Sequence, residues 1–279
     1  MLQRLKFDYE MQIEYEEEVA QCHFTIKCLP KNTQRQTIEE YDISLFPPIE
    51  YVHGTDGLKN LQIYGRNARP HTKFIFRITG TALVGLSEFE EDEDDNLSMI
   101  FRHPHGMNQP GENILAYYNR VISQSECAKK LAEAHTKESI LKYAEYVMER
   151  LHGDFEYQPN TTGIDTTAEE AFCQGYGVCQ DYAHIYIALM HQAHIAARYV
   201  TGLIVGEGAS HAWVEVLADG KWYGFDPTNN KRVEDEHIKI GVGRDAHDCM
   251  INRGIMHGGG FHTQIIRVSV TKQERERCV

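Results

Sequence analysis

The sequence lacks any apolar run long enough to cross a membrane, and it lacks the features of an export signal. Its longest apolar stretches, such as residues 185–190, fall well short of the ~18 residues that a membrane helix needs. The first ten residues contain no apolar core and reach acidic residues almost at once. We therefore expect a cytoplasmic protein with no membrane partner.

Positive charge is scarce. The chain has 28 Lys and Arg residues against 41 Asp and Glu residues, a net charge of −13, and no cluster of five or more basic residues. This balance makes polyanion binding a poor prospect, so we expect no nucleic-acid partner. Seven of the acidic residues lie in the run 88–95, which lacks the spacing of an EF-hand. A solvated loop or linker is predicted there, with a cation-binding loop as the alternative.

Cysteine is sparse, and no metal-ligand motif is visible. Seven cysteines are an odd number and a low density, so free thiols in a reducing cytoplasm are predicted instead of a disulfide framework. His184 and His191 are seven residues apart, whereas a helical ligand pair is usually four apart, and no H-E-x-x-H occurs. We expect these histidines to pack or be solvated, and we predict no metal and no cofactor.

The hydrophobic periodicity divides the chain of 279 residues into two parts. Apolar residues alternate from Phe7 to Tyr15, from Cys22 to Cys28 and again within 71–85, which predicts several strands and a β-sandwich-like domain over residues 1–111. From residue 112 the spacing becomes helical. Thr136 can begin a helix that Gly153 ends, and a capping box at Thr167 begins a short helix that stops at Gly175. The fold class is therefore α+β, with a second domain over residues 112–279.

Cys179 stands at the first turn of a mostly apolar predicted helix. Unpaired backbone N–H groups and the positive end of the helix dipole favour a thiolate at this position. The same N–H groups can stabilise an oxyanion on a carbonyl that the sulfur attacks. Asp181, in the same turn, is expected to cap the helix. A single cysteine at a helix start is more often inert, so the position alone does not identify a nucleophile.

A predicted hairpin brings a histidine and an aspartate together. Asp219-Gly220 is a strong two-residue turn signal, and with this turn residue 218 pairs with residue 221. His211 and Asp226 then become diagonal neighbours on one face, within reach of each other's side chains. A carboxylate can therefore orient an imidazole. If the helix start presents Cys179 to the other ring nitrogen, the three groups form a thiolate–imidazolium pair with an aligning acid.

Three segments resemble the core motifs of the bacterial transglutaminase-like family, whose members are commonly called cysteine proteases. The segments are Gly177-Val178-Cys179-Gln180-Asp181-Tyr182-Ala183-His184, Ser210-His211-Ala212-Trp213-Val214-Glu215-Val216 and Phe225-Asp226-Pro227-Thr228-Asn229. The similarity extends to residues 155–157, 166–171, 241–245 and 265–270, and the N-terminal strands resemble the β domain that precedes this core. Tyr182 stands where phenylalanine is common, and residues 247–250 depart from the usual family sequence.

The resemblance implies a papain-like α+β core in which Cys179 attacks a carboxamide or peptide carbonyl. His211 would accept the thiol proton and later protonate the departing amine, while Asp226 holds the ring. The oxyanion donors would be the Cys179 N–H and a second group, Tyr157 or Gln174. Tyr176 and Trp213 are further candidates for the substrate cleft, although Trp213 fits core packing equally well.

Three functions remain open at this point. The first is a peptidase or amidase that uses water as the acceptor and acts on a peptide or protein substrate. The second is acyl transfer from a protein glutamine to an amine. The third is a peptide-binding scaffold without turnover, against which the intact set Cys179, His211 and Asp226 argues.

Overall fold

The computed structural model describes residues 2–93 and 98–273. Its strands are β1 Gln3–Ile26, β2 Gln36–Phe46, β3 Tyr51–Thr55, β4 Leu61–Asn67, β5 His71–Val84, β6 Phe89–Glu91, β7 Glu156–Tyr157, β8 Tyr176–Gly177, β9 Ala197–Ile204, β10 Gly206–Gly208, β11 His211–Ala218, β12 Lys221–Asp226, β13 Lys231–Arg232, β14 His237–Gly243, β15 Asn252–Gly258 and β16 His262–Lys272. Its α-helices are α1 Glu112–Tyr117, α2 Glu126–Glu133, α3 Lys137–Asp154, α4 Ala168–Gln174 and α5 Cys179–Gln192. Single 3₁₀ turns at Met99–Arg102 and Gly106–Asn108 and a π-helical turn at Tyr118–Ile122 complete the connections.

The first sheet is built around β1, which is 24 residues long. β1 pairs with β5 and β16 along its first half and with β4 and β15 along its second half, while β2 pairs with β5 and β3 with β4. The predicted alternation is confirmed, because Phe7, Tyr9, Met11 and Ile13 are all buried. Alternate side chains are buried along both halves of β1, and they belong to one apolar core in the strand-rich N-terminal region.

The second sheet carries the helices. Its strand order is β13-β12-β11-β9-β14, with β6 added beside β12. On one face Ala212, Val214 and Val216 pack in the same core as α5, every residue of which from Asp181 to His191 is buried. Strands and helices thus share one core, and the predicted α+β class is confirmed.

Hydrogen bonding connects the two predicted segments in both directions. β6, from the predicted N-terminal segment, pairs with β12, and β10, β15 and β16, from the predicted C-terminal segment, pair in the first sheet. The division into 1–111 and 112–279 therefore stays a prediction. None of the helices in residues 2–93 and 98–273 is long and apolar enough to cross a membrane.

The acidic run 88–95 differs from the predicted solvated loop. Residues 89–91 form β6, and Glu90 is buried against the amino group of Lys239, with Nζ and Oε2 2.5 Å apart. The buried cations opposite draw this carboxylate inward, which charge counting along the sequence cannot reveal. Asp94 and Asp95 lie outside the described residues.

The helix starts agree with their sequence signals, whereas one helix end does not. Thr136 accepts the backbone N–H of Ser139, and Thr167 accepts that of Glu170, so both predicted caps are confirmed. α4 stops at Gly175, which has a φ of 78°. The end predicted at Gly153 is wrong by one residue, because α3 continues to Asp154 before the chain turns extended.

Candidate active site

Cys179 is the first residue of α5, as predicted. After the left-handed Gly175, β8 pairs in parallel with β7, so that Tyr157 lies beside Gly177 at the helix entrance. The carboxylate of Asp181 folds back to accept the backbone N–H of Val178 at 2.8 Å, which caps the helix. A side chain at Gly177 would collide with this carboxylate, since its Cβ would lie 2.5 Å from Oδ2. Because Cys179 is in the first turn, its backbone N–H has no acceptor within the helix and can donate to a ligand oxygen.

Asp181, in the same first turn as Cys179, is held by burial and by hydrogen bonds. It is completely buried, and its Oδ2 also accepts the hydroxyl of Thr162 at 2.6 Å. Burial raises the pKa of this carboxyl above its ordinary value, although the hydrogen bonds act in the opposite direction.

The hairpin has the predicted register. Ala218 pairs with Lys221 and Val214 with Phe225, and the turn residue Asp219 takes the left-handed conformation with a φ of 52°. His211 begins β11 and Asp226 ends β12, and the His211 Nε2 and the Asp226 Oδ2 are 2.8 Å apart. The predicted contact between imidazole and carboxylate is confirmed. It leaves Nδ1 as the ring nitrogen available to the sulfur of Cys179.

The electrostatics of the site favour an imidazolium. Burial alone would lower the pKa of His211, but its interactions with Asp226 and Cys179 outweigh burial and raise the pKa to about 10. Asp226 is completely buried, which would raise its pKa, yet the hydrogen bonds from His211 and His237 hold the pKa below its ordinary value. These interactions favour a charged His211 at neutral pH, between the Asp226 carboxylate and the half-buried sulfur of Cys179.

The sequence patterns assign no role to two residues that contact Asp226. Asn229 donates its backbone N–H to Oδ1 at 3.1 Å and its side-chain amide to Oδ2 at 2.7 Å. His237 places its Nε2 3.1 Å from the same Oδ2. Asn229 follows Asp226 by three residues in a turn sequence, so turn chemistry could have identified it. No local signal identifies His237, because it comes from β14, two strands away from β11.

The other predicted cleft residues have different positions. Tyr157 is 51% exposed, and burial together with the charge of Cys179 raises the pKa of its phenol, so the two side chains are near each other. Tyr176 is half-buried on β8 beside β7. Gln174 is exposed at the end of α4, and no hydrogen bond within the described part of the chain joins it to the sulfur.

Trp213 does not line a cleft. It is 1% exposed, and its ring packs edge-on against His237 with centroids 5.1 Å apart. The core-packing alternative is therefore the correct one for this residue. Trp213 lies on β11, two residues after His211, and its ring packs near the rings of His211 and His237.

His211, Asp226 and His237 are the residues here that could hold a metal ion. Their donor atoms lie within 4.8 Å of one another, and all three residues are buried. The Nε2 atom of each histidine, however, already lies within hydrogen-bonding distance of the Asp226 Oδ2. The group is thus explained by hydrogen bonding among its own members.

Comparison with known proteins gives consistent results. Residues 125–227 match the transglutaminase-like superfamily, and residues 5–83 match the bacterial transglutaminase-like N-terminal region. An uncharacterized protein of Mycobacterium leprae is 27% identical over 267 residues, which cover 87% of this chain and 89% of that protein. An uncharacterized protein of Mycobacterium tuberculosis H37Rv is 26% identical over 267 residues, with 86% and 83% covered.

A crystal structure of a candidate cysteine protease from Cytophaga hutchinsonii has the same fold. It superposes with a TM-score of 0.74 at 20% sequence identity, covering 99% of this chain and 92% of that chain. At this identity the similarity extends to the fold.

Proposed function

Because the chain belongs to the bacterial transglutaminase-like family, with both the core and the N-terminal region of that family, we propose that it is a cysteine hydrolase that cleaves amide or peptide bonds. The observation that supports this proposal is the buried His211–Asp226 pair next to Cys179 at a helix start. Such an arrangement supplies a nucleophile, a proton donor and an orienting acid at one point.

In the first step the Cys179 thiolate attacks the carbonyl carbon and the C=O electron pair moves to oxygen. The backbone N–H of Cys179 faces this oxyanion, and the phenol of Tyr157 is the second donor. Because the pKa of Tyr157 is raised, its phenol keeps the proton that it donates. The C–N bond then breaks as the leaving nitrogen takes the proton from His211, which leaves a thioester and a neutral imidazole.

In the second step the neutral imidazole of His211 removes a proton from water, and the hydroxide attacks the thioester carbonyl. The C–S bond breaks, the carboxylic acid product leaves, and the thiolate–imidazolium pair is restored. Water is the acceptor in this proposal, as in the peptidase or amidase alternative of the sequence analysis. The exposed side chains of Tyr157 and Ile164 offer apolar surface to a peptide at the entrance of α5.

Selective alkylation tests whether Cys179 is activated. The chain offers an internal control, because Cys173 is exposed whereas Cys179 is half-buried. Burial and the charge of Glu169 raise the pKa of the Cys173 thiol. At pH 6, dilute iodoacetamide should therefore label Cys179 before Cys173, against the order of accessibility, and His211→Ala should remove this preference. Labelling in the order of exposure would contradict activation.

Product mass then separates the possible reactions. Glutamine-containing and unmodified peptide libraries are incubated with the wild type and with Cys179→Ala, with and without a primary amine. The proposal expects products that have gained water and depend on Cys179. An amine adduct that forms faster than the hydrolysed product would favour acyl transfer, and tight binding without turnover would favour the scaffold.

We also propose a reducing compartment, the cytoplasm, for this reaction. The six cysteines among the described residues are unpaired, which fits a compartment where thiols stay reduced. Detection of the native protein in a periplasmic fraction would contradict this assignment.

A further inference from the structure

A second imidazole shares the carboxylate that orients His211. The Nε2 atoms of His211 and His237 lie 2.8 Å and 3.1 Å from the same Oδ2 of Asp226. Asn229 adds an amide N–H to that oxygen at 2.7 Å. One oxygen of a completely buried carboxylate therefore receives three donors, and two of them are imidazoles.

The fold brings His237 to this point across an intervening strand. β9 separates β11 from β14, and at the crossing β9 has Gly202, which pairs with His211 on one side and with Lys239 on the other. A Cβ at Gly202 would collide with the ring of Trp213 and with the carbonyl of Ile238. Because residue 202 has no side chain, the Trp213 ring can pack over β9 and contact the His237 ring edge-on.

The surroundings of His237 favour a neutral ring. It is 5% exposed, and burial lowers its pKa below the ordinary value despite the hydrogen bond to Asp226. Its Nδ1 is buried and has no partner among the described residues, so a second ring proton would be an unpaired buried donor. The charge of His211, whose ring centroid is 6.0 Å away, also opposes a second cation. The other charged groups facing this ring are Lys231 and, around a small cavity, Arg35, Glu90, Glu215, Glu234 and Lys239.

We propose that His237 is a positioning residue for the nucleophile. This inference rests on the proposed function of Cys179. As a neutral donor, His237 fixes Asp226 without adding charge, so that the carboxylate presents one fixed orientation to His211 and the imidazolium stays against the sulfur. His237 does not touch the reacting atoms and acts through Asp226 alone.

The length of the replacing side chain provides the test. In His237→Gln the amide nitrogen can occupy the position of Nε2, whereas in His237→Asn the amide is too short to reach Asp226. The measurement is the second-order rate constant of Cys179 alkylation by iodoacetamide at pH 6, which needs no substrate. We expect His237→Gln to stay within about threefold of the wild type and His237→Asn to be about 10- to 100-fold slower, the cost of one buried hydrogen bond.

A matched control separates this effect from general disturbance of a buried histidine. His191 is also buried, and its Nε2 lies 2.9 Å from the backbone oxygen of Phe101, at the opposite end of α5 from Cys179. His191→Asn should leave the alkylation rate unchanged. Proton NMR adds a direct readout, because His237→Asn should remove one of two protected downfield ring N–H signals and His237→Gln should keep that of His211 sharp.

The outcomes distinguish a failure of the proposed function from a failure of the positioning role of His237. If wild-type Cys179 shows no preference over Cys173, the proposed function fails before His237 is considered. If the preference exists and the Gln and Asn variants react at the same rate, the positioning role is wrong. A wild-type protein that binds Zn²⁺ alone through His237, with loss of binding in both variants, would also overturn it in favour of a metal site.

Discussion

Two clusters of buried charge lie on the same strands and have different consequences. The lysine cluster consists of Lys239, Glu215, Glu90 and Arg198, with the Lys239 amino group 2.9 Å from both oxygens of Glu215. The aspartate cluster consists of His211, Asp226, Asn229 and His237. β11 contributes His211 to one and Glu215 to the other, and β14 contributes His237 and Lys239 in the same way.

The difference lies in the groups that hold the protons. In the lysine cluster two cations face two carboxylates, and although burial opposes it, Lys239 and Arg198 lower the pKa of Glu215 to about 2. The Glu215 carboxylate therefore stays ionised near neutral pH, and its ion pairs connect the strands and β6. In the aspartate cluster an imidazole lies between the carboxylate and a thiol, so a proton can move during a reaction. Buried charge in this protein therefore marks a reactive site only where the cluster includes a group with a transferable proton.

The largest effect is expected when Cys179, the nucleophile beside the aspartate cluster, is removed. Cys179→Ala should lower the turnover of a cleaved peptide by about 10⁴-fold, because no other group can form the thioester. Thermal unfolding should change little, since the sulfur is only half-buried. Peptide cleavage measured by mass spectrometry checks the first statement and calorimetry the second. Residual turnover within tenfold of the wild type would contradict the nucleophile.

The next largest effect is expected on stability when the lysine cluster is broken, and the reactivity of Cys179 should stay intact. Glu215→Gln removes one of the two buried carboxylates that face Lys239 and Arg198, which should cost about 3–5 kcal/mol of unfolding free energy. Alkylation of Cys179 in the folded fraction should be unchanged. Urea denaturation measures the loss, with Glu138→Gln as the control, because Glu138 forms a fully exposed pair with Lys142 that should contribute little to stability. Equal losses in the two variants would show that the lysine cluster adds no more than a surface pair.

The third prediction concerns the pH dependence of stability, which should distinguish the aspartate cluster from the lysine cluster. The pKa of His211 rises from an ordinary 6.5 to about 10, so the folded protein binds more protons than the unfolded chain between these values. The contribution of His211 to stability is complete below about pH 6.5 and is lost as the pH rises to about 10. Urea unfolding at pH 6.5, 8 and 10 should therefore show the gap between wild type and His211→Gln closing with pH. A gap that is constant or widens would contradict the imidazolium.

The smallest effect concerns Asn229. Asn229→Ala removes one side-chain donor from Asp226 and should slow Cys179 alkylation about tenfold, because the backbone N–H of residue 229 remains. Asn229→Asp should be slower still, since it places a second carboxylate against Oδ2. Iodoacetamide rates at pH 6 give the order, and an Asp variant as fast as the wild type would show that Asn229 does not act through Asp226.

Local signals predicted much of this site. The turn at Asp219-Gly220 fixes the hairpin register, and period two then determines that His211 and Asp226 share a face, as the 2.8 Å contact confirms. The capping signals at Thr136 and Thr167 likewise depend on residues three apart in the chain. Each of these predictions needed only neighbouring residues.

Long-range pairing could not be predicted in this way. His237 reaches Asp226 because β14 lies beside β9, and Glu90 is buried because β6 pairs with β12. The period of a helix or a strand relates only neighbouring residues, so it does not predict contacts between strands that are far apart in the sequence. The catalytic roles of Cys179, His211 and Asp226 and the cleft role of Tyr157 stay predictions, since geometry alone does not measure turnover.

The protonation state of His211 tests the central claim most directly. Nitrogen NMR of the labelled imidazole, followed from pH 6 to pH 11, reports whether both ring nitrogens carry protons. The account expects a doubly protonated ring at pH 8 that titrates near pH 10 in the wild type, and a lower titration point in Cys179→Ala, because the sulfur contributes to the raised pKa. A neutral ring at pH 8, or an unchanged titration without the sulfur, would contradict it.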